Sequence, residues 1–169
     1  MFALEPIGVV RTARTDPSAT PVQAGANLSE EGTVELADRY RDALDGLDGF
    51  SHAWLLTWLG GSDHAAAAVE LRQRPFLRPD GPPLGIFAMR GPRRPNPIGL
   101  SLVEIVAVTG TSVRFRGVDV VDGTPLLDLK PYFRDADEPH APVECGWFDA
   151  IEMPEAATPD SLRGRATPG

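Results

Sequence analysis

The sequence contains few of the residues that build disulfides and metal sites. Its 169 residues include one cysteine, Cys145, and three histidines, His52, His64 and His140. A single cysteine cannot form an intrachain disulfide or a thiolate cluster, and the histidines lack the mutual spacing of a metal site on one element. We therefore predict no metal, and we interpret Cys145 as an inert small apolar residue.

Long apolar runs and dinucleotide-binding signatures are missing as well. No run of about 18 apolar residues and no signal-peptide pattern follows Met1, so we expect no membrane span, no export and a cytoplasmic protein. No Gly-x-Gly-x-x-Gly follows a first strand and no P-loop occurs, which argues against the doubly wound dinucleotide or methyltransferase fold. An apolar content of 42% in a chain of this length suits one compact core.

Lysine is scarce and the charge is unbalanced. Lys130 is the only lysine beside fifteen arginines, and the formal net charge is −8. A chain with a negative net charge is poorly suited to bind long stretches of phosphate backbone, because like charges repel. Six arginines nevertheless lie between Arg72 and Arg94, opposed there only by Asp80, so the sequence predicts a local basic patch on an acidic body.

The most informative segment is a proline-stiffened, arginine-rich loop, Arg90-Gly91-Pro92-Arg93-Arg94-Pro95-Asn96-Pro97, between two apolar stretches. We call it the Arg-Pro loop. Each proline fixes its own φ and pushes the preceding residue towards extended geometry, so Arg94 and Asn96 are partly oriented before a ligand arrives. Such pre-orientation lowers the cost of binding. A solvated surface turn is the alternative interpretation of an Arg-Pro stretch.

Apolar patterning predicts mainly short strands, which indicates a barrel or a sandwich. Spacing of Leu36, Tyr40 and Leu44 predicts a short helix over 35–44, and the prolines of 72–83 predict a mobile loop. Aromatic residues recur every four positions over 50–59, which a helix would also satisfy. The predicted strands are Phe2–Thr12, Phe50–Leu59, Leu84–Met89, Ile98–Val108, Ser112–Val121 and Leu126–Pro131.

The Arg-Pro loop resembles the signature of the TsaA-like (TrmO-like) methyltransferase family, whose characterised members methylate N6 of threonylcarbamoyladenosine in tRNA. Three further segments agree in the same order, namely Pro6–Thr12, Leu47–Trp54 and Val120–Tyr132. The resemblance implies a mostly β fold: a small antiparallel β-barrel with one or two short helices and long Pro-rich loops. It also decides for a strand over 50–59.

The same resemblance implies a domain organisation and a set of partners. Residues 1–135 form the S-adenosylmethionine-binding barrel, and 136–169 form a C-terminal extension. Trp147, Phe148 and Ile151 partly dock this extension, and its end frays from Thr158. The implied cofactor is S-adenosyl-L-methionine, and the implied partners are the tRNA anticodon stem-loop and a second copy of the chain, with no membrane.

Carried over residue by residue, the family's cofactor contacts are mostly main-chain contacts at strand ends, with apolar side chains packing the adenine face. The early loop reads Val22-Gln23-Ala24 where the family often has Arg-Gln-Pro. The implied cofactor-binding residues are Gln23, Leu59, Arg90, Leu100, Val118 and Asp119.

Methyl transfer to a carbamoylated N6 nitrogen needs alignment and benefits from a base or a polarising donor. We predict five residues for these roles: Asp122 and Asp128 as base candidates, Lys130 and Tyr132 as holders of the threonyl carboxylate or carbamoyl oxygen, and Asn96 as a base- or phosphate-fixing group. The alternatives are a tight turn for Asp122 and a cross-strand surface ion pair for Asp128 and Lys130.

The basic patch is predicted to meet the anticodon stem-loop. Its members are Arg72, Arg74, Arg78, Arg93 and Arg94. Together these features predict an S-adenosylmethionine-dependent methyltransferase acting on N6 of threonylcarbamoyladenosine next to the anticodon. The alternative is a cofactor-binding regulator or a small-molecule methyltransferase that does not act on tRNA.

Overall fold

A computed structural model describes residues 3–61 and 69–163, so His64 and the end of the predicted fraying segment lie outside the described residues. Six antiparallel strands close into a barrel in the order β1-β2-β7-β6-β3-β8, and a separate two-stranded sheet pairs β4 with β5. The strands are β1 Gly8–Arg11, β2 Glu31–Leu36, β3 His52–Trp58, β4 Arg72–Gln73, β5 Leu84–Gly85, β6 Ile98–Thr109, β7 Ser112–Arg116 and β8 Thr124–Pro131. The predicted antiparallel barrel is thereby confirmed.

Alternation along the strands separates the barrel interior from its outer face. In β3, Ala53, Leu55 and Thr57 are buried, while the residues between them are only half-buried. Aromatic spacing of four is a multiple of the strand period of two, so Trp54 and Trp58 share the outer face. The interior is filled by apolar side chains of all six strands, chiefly Val10, Val34, Leu55, Val103, Val113, Phe115 and Leu126.

Phe115 is the bulkiest of the fully buried side chains, and Gly32 makes room for it. The two residues are register partners on β7 and β2. A Cβ atom on Gly32 would lie 2.6 Å from Phe115 Cζ, which is closer than real Cβ contacts come. Packing in a barrel of this size therefore requires glycine at position 32.

Several sequence predictions of local structure are wrong. Residues 72–73, predicted to begin a mobile loop, form β4 and pair with β5. The segment predicted as one helix over 35–44 is the end of β2 followed by a 3-10 helix, Asp38–Leu44. The strand predicted over 84–89 lasts two residues before a 3-10 turn, Ile86–Ala88. The strand predicted over 112–121 ends at Arg116, because Gly117 adopts a φ of 103° that strands do not have.

The chain after the barrel folds back on the early loop. It contains two short helices, α1 Arg134–Asp137 and α2 Pro159–Arg163, and a 3-10 turn, Gly146–Ala150. The prediction that the end frays from Thr158 is wrong over residues 159–163, because α2 forms there and buries Leu162. Ala156 N donates to Ala26 O at 2.7 Å, and Val22 N donates to Ala157 O at 2.8 Å. No helix among the described residues is long and apolar enough to cross a membrane.

Candidate functional site

A cleft of about 990 Å³ opens where the early loop, the end of β3, the start of β6 and the Arg-Pro loop meet. These segments are far apart in the sequence and are brought together by barrel closure, since β3 pairs with β6 along seven residues from His52 to Trp58. A cleft of this volume accommodates a cofactor and part of a second ligand.

Asp119 lies in the floor of the cleft with both carboxylate oxygens hydrogen-bonded. Ser101 Oγ donates to Oδ1 at 2.7 Å, and Ala24 N donates to Oδ2 at 3.1 Å. Burial nevertheless dominates and raises the pKa of Asp119 from 3.8 to about 6, with the bonds from Ser101 and Ala24 acting in the opposite direction. Asp119 is therefore a carboxyl group that titrates close to neutral pH.

A buried polar network holds the early loop against this floor. Asn27 Nδ2 donates to Val118 O at 2.8 Å and to Glu30 Oε2 at 3.0 Å. Arg14 forms a salt bridge with Glu30 at 2.7 Å, and this hydrogen-bonded partner lowers the pKa of Glu30. Because Gln23 and Ala24 precede Asn27, the network also fixes where the early loop meets Asp119.

One wall of the cleft consists of apolar side chains that remain accessible. Leu100 is 51% exposed and Ile98 is 41% exposed, although both belong to the first residues of β6. Leu59 N donates to Pro97 O at 2.7 Å, which holds the end of β3 to the Arg-Pro loop. Accessible apolar surface beside a carboxylate suits a ligand with a flat ring and a cationic or hydroxylated tail.

The Arg-Pro loop is tied down by hydrogen bonds to main-chain carbonyls. Arg94 Nη1 donates to Ile86 O at 2.8 Å and to Met89 O at 2.7 Å. Gln73 Nε2 donates to Arg93 O at 3.0 Å from a buried position. Arg90 and Arg93 themselves are exposed and line the cleft.

Most of the residues predicted to bind the cofactor or the substrate meet in this cleft, and most of those predicted to be catalytic do not. Val118 is fully buried behind the cleft and offers only its carbonyl to Asn27. The predicted residues that line the cleft are Gln23, Leu59, Arg74, Arg90, Arg93, Arg94, Leu100, Asp119 and Asp122. Those outside the lining are Arg72, Arg78, Asn96, Val118, Asp128, Lys130 and Tyr132.

Asp128, Lys130 and Tyr132 form a separate region that we call the β8 flank. Lys130 Nζ lies 2.7 Å from Asp128 Oδ2, and both side chains are well exposed. They sit two residues apart on one strand, so the pair lies within β8 and is not a cross-strand pair as expected. Tyr132 Oη donates to Glu138 at 3.2 Å; desolvation, with Glu138 second, raises the pKa of Tyr132.

Asp122 combines a cleft position with a turn. Its Oδ1 accepts from Thr12 N at 3.2 Å, and its Oδ2 lies 3.6 Å from Arg11 Nη1. Gly123, with a φ of 78°, follows it and lets the chain enter β8. The tight turn is therefore present, and the carboxylate also borders the cleft.

Sequence reasoning missed several contributors to the cleft, including Phe87. Ser101 and Ala24 orient Asp119, and Trp147 and Phe148 form part of the lining. Periodicity places Ser101 on the inner face of β6, but only the fold places it beside Asp119. Cys145, interpreted from sequence as a small apolar residue, is exposed at the same cleft. Among the described residues, no three metal-binding side chains gather into a group.

Comparison with known proteins adds a family to this geometry. A family model described as the tRNA-methyltransferase O N-terminal domain matches residues 9–138. A probable S-adenosyl-L-methionine-binding protein of Methanothermobacter thermautotrophicus is 42% identical, and the match covers 79% of this chain and 92% of the relative.

Longer relatives match over part of their length. The tRNA (adenine(37)-N6)-methyltransferase of Escherichia coli is 38% identical over 78% of this chain and 57% of its own length. The crystal structure of TrmO from Pseudomonas aeruginosa is 31% identical with a TM-score of 0.69, and the match covers 87% of this chain and 62% of that chain. The chain thus spans about three fifths of these longer proteins.

Proposed function

Because the chain belongs to the family of the tRNA-methyltransferase O N-terminal domain, we propose that it is an S-adenosylmethionine-dependent methyltransferase acting on tRNA. The acceptor is N6 of threonylcarbamoyladenosine next to the anticodon. The observation that supports the proposal is that predicted cofactor-binding residues from distant parts of the sequence line one cleft. These residues are Gln23, Leu59, Arg90, Leu100 and Asp119.

The donor set of the cleft fits S-adenosylmethionine. Asp119 accepts hydrogen bonds from an ammonium or ribose hydroxyl, and Arg90 donates to a carboxylate. Leu100 and Ile98 offer the accessible apolar surface on which an adenine ring packs. The sulfonium is cationic, so a carboxylate in a poorly solvated floor favours it more than a solvated one would.

When bound, S-adenosylmethionine would supply an activated methyl group, and the neutral thioether S-adenosylhomocysteine would be the leaving group. The residues of this chain align the two reactants, which by itself contributes several kcal/mol to barrier lowering. Asp122, fixed by Thr12 N and Arg11 at the cleft border, accepts the proton that N6 loses. Asn96 lies on the Arg-Pro loop beyond the lining and holds the base or its phosphate.

The arginines supply the RNA contacts. Arg74 and Arg93 are exposed at the cleft, and Arg72 and Arg78 extend the basic surface outside it. Arg94 contributes less directly, because its guanidinium already donates to two carbonyls. The anticodon stem-loop is the proposed partner, and the cytoplasm, where tRNA is decoded, is the proposed compartment.

A symmetric homodimer is the proposed assembly, and the outer face of β3 and β6 supports it. Register pairs Trp54 with Leu102 and Leu56 with Leu100, which places apolar side chains next to each other on the outside of the barrel. We call this the apolar face. It continues into the cleft at Trp58 and Ile98 and borders the β8 flank. A two-fold pairing here would bring Lys130 and Tyr132 towards the partner's cleft.

Light scattering at micromolar concentration tests the dimer. The parental protein should show twice the mass of one chain, and Leu102→Glu should shift it to one chain, because a charge on the apolar face is costly to bury. Leu28→Glu is the control for an added surface charge, since Leu28 is an exposed leucine outside that face, whereas Leu102 is half-buried. A parental monomer would remove the dimer from the proposal.

A second candidate function is a cofactor-binding regulator or a small-molecule methyltransferase. The net charge of −8 favours it, since an acidic body repels phosphate outside the local patch. The two functions share the cofactor and differ in the acceptor, so one measurement separates them.

Nucleoside mass spectrometry provides that measurement. In tRNA from cells lacking the protein, the N6-methyl derivative of threonylcarbamoyladenosine should disappear, and the purified protein with S-adenosylmethionine should restore it in vitro. Persistence of the methylated nucleoside, together with measurable cofactor binding, would favour the regulator or small-molecule enzyme.

A further inference from the structure

Two 3-10 turns present aromatic side chains at the rim of the cleft. Phe87 is the middle residue of the turn Ile86–Ala88 and is 80% exposed, which is unusual for a phenylalanine in a folded domain. Trp147 and Phe148 belong to the turn Gly146–Ala150 of the C-terminal segment. All three side chains line the same cleft, although sixty residues separate the two turns.

The backbone that carries Phe87 is fixed on both sides. Arg94 donates from one guanidinium nitrogen to Ile86 O and Met89 O, which brackets the turn. The same guanidinium lies over the Phe87 ring, with Cζ 5.6 Å from the ring centroid. This cation–π contact orients the ring and leaves most of it accessible.

The second aromatic unit is attached to the same turn. Trp147 Nε1 donates to Ala88 O at 2.7 Å, directly after Phe87 in sequence. The Trp147 ring meets Phe148 edge to face, with centroids 5.7 Å apart and planes at 87°. Both aromatic units are therefore pre-oriented on one short stretch of backbone, so little ordering cost remains for a flat ligand.

The charged residues of the same cleft indicate which class of flat ligand binds to these aromatic rings. Arg93 and Arg74 are exposed and line the same cleft as the aromatic rings, so the cleft combines stacking surfaces with donors for phosphate. An unstacked base within an RNA strand offers both a π face and flanking phosphates. The cofactor's adenine has another apolar surface in the same cleft, at Leu100 and Ile98.

We propose that Phe87, Trp147 and Phe148 form an aromatic clamp that stacks the acceptor adenine once it has left the anticodon-loop stack. This proposal rests on the proposed tRNA methyltransferase function and adds the residues that hold the base. Phe87 is then a substrate-positioning residue, since stacking offsets part of the cost of unstacking the base and presents N6 to the cleft.

A base-deletion cycle tests the clamp. The probes are an anticodon stem-loop RNA with threonylcarbamoyladenosine at the acceptor position and the same hairpin with an abasic ribose there. Phe87→Ala should weaken binding of the threonylcarbamoyladenosine hairpin by roughly 5- to 100-fold and leave the abasic hairpin unaffected. Phe87→Tyr, which keeps a stacking ring, should restore most of the affinity.

Two controls make the result specific. Phe133→Ala removes a phenylalanine that is 53% exposed and packs on Phe50 away from the cleft, and it should not change hairpin binding. S-adenosylmethionine affinity of Phe87→Ala, measured by calorimetry, should stay within about twofold of the parental value.

Each other outcome overturns the clamp in a recognisable way. Equal loss of both hairpins in Phe87→Ala would mean that the residue supports the fold and does not stack a base. Parallel loss of cofactor affinity would assign the ring to the cofactor, and conversion of a dimer to a monomer would assign it to a second copy. A parental protein that binds neither hairpin would overturn the tRNA function together with the clamp, whereas binding without base dependence would overturn the clamp alone.

Discussion

The cleft and the β8 flank place the same side-chain chemistry in two different environments. Asp119 in the cleft is held by Ser101 and Ala24 in a poorly solvated floor, and its pKa rises to about 6. Asp128 on the flank meets Lys130 in contact with solvent. The difference shows that a carboxylate and a cation close together indicate little about function until their solvation is known.

Arginines show the same division. In the cleft, Arg94 organises backbone while Arg90 and Arg93 stay exposed to a ligand. On the barrel surface, Arg114 and Arg116 pair with Glu31 across β2 and β7. Among the described residues, the exposed arginines Arg90 and Arg93 at the cleft contrast with these carboxylate-paired arginines, which explains how an acidic chain can still present a local anion-binding surface.

The largest expected effect comes from reversing charge at the Arg-Pro loop. Arg93→Glu with Arg94→Glu should abolish methylation of tRNA. The double variant also loses the Arg94 bonds that hold the Arg-Pro loop, so Arg93→Glu alone is the variant in which S-adenosylmethionine should still bind through Arg90 and Asp119. The single variant Arg93→Glu leaves the Arg94 bonds to Ile86 and Met89 in place and should still reduce activity at least about tenfold. Methylation assays on purified tRNA, with calorimetry for the cofactor, measure both quantities.

Salt dependence and a control on the barrel surface, at β7, sharpen this result. With two to four phosphates neutralised, parental affinity for tRNA should fall with roughly the second to third power of salt concentration, and the double variant should show a flatter slope. Arg114→Glu, at a paired arginine away from the cleft, should leave both slope and rate unchanged. If the double variant methylates tRNA at the parental rate, the Arg-Pro loop does not contact the RNA.

A second, smaller effect concerns the cofactor. Arg90→Ala should weaken S-adenosylmethionine binding by roughly 10- to 100-fold in calorimetry, because it removes a charge-assisted bond to the carboxylate of the methionine tail. Arg72→Ala, at an arginine of the same segment outside the cleft lining, is the matched control. An unchanged dissociation constant in Arg90→Ala would contradict the assignment of Arg90.

The comparison also shows how far the sequence could predict the molecule. Strands β3, β6 and β8 are long enough for their apolar pattern to be recognised in the sequence. These strands and the family resemblance together predicted the barrel. Strand β2 was missed because Gly32 occupies one of its inward positions, where a larger residue would clash with Phe115. A helical spacing then emerged by chance from the end of that strand and the 3-10 helix after it.

Site residues could be predicted from the sequence only where they lie in the motifs that resemble the family. Those motifs include Arg90, Leu100 and Asp119. They do not indicate that Asp119 is buried, because its surroundings include Ser101 and Ala24, which belong to other elements of the fold. The contribution of Trp147 was out of reach for the same reason, since its partner Ala88 lies 59 residues away in sequence. Long-range contacts of this kind have no local signature.

The third prediction uses the raised pKa of Asp119. In the unfolded chain this carboxyl titrates near 3.8 and in the folded chain near 6, so the folded state binds more protons between these values. Its contribution to stability is fully present below pH 4 and is lost as pH rises through about 6, amounting to at most about 3 kcal/mol. Urea denaturation at pH 4.5 and pH 7.5 should show Asp119→Asn with a smaller loss of stability over this range than the parental protein.

A matched titration on the flank completes that test. Asp128→Asn should leave the change in stability between the two pH values close to parental, because Asp128 is solvent-exposed. Cofactor affinity supplies an independent readout, since a cation favours the charged carboxylate and S-adenosylmethionine should bind more tightly as pH rises from 5 to 7. An affinity that falls over this interval would show that Asp119 does not face the cation.

The smallest expected effect is the coupling between Asp128 and Lys130. Their oxygen–nitrogen distance of 2.7 Å suggests a strong bond, but both side chains are exposed, at 41% and 62%. Exposed pairs contribute about 0–1 kcal/mol, because water screens the charges and both side chains lose freedom. A double-mutant cycle of Asp128→Ala and Lys130→Ala in urea should therefore give a coupling energy below about 1 kcal/mol that shrinks further in high salt. A coupling above about 2 kcal/mol that resists salt would mean that the pair is shielded, and the body available to shield it is a second protomer on the adjoining apolar face.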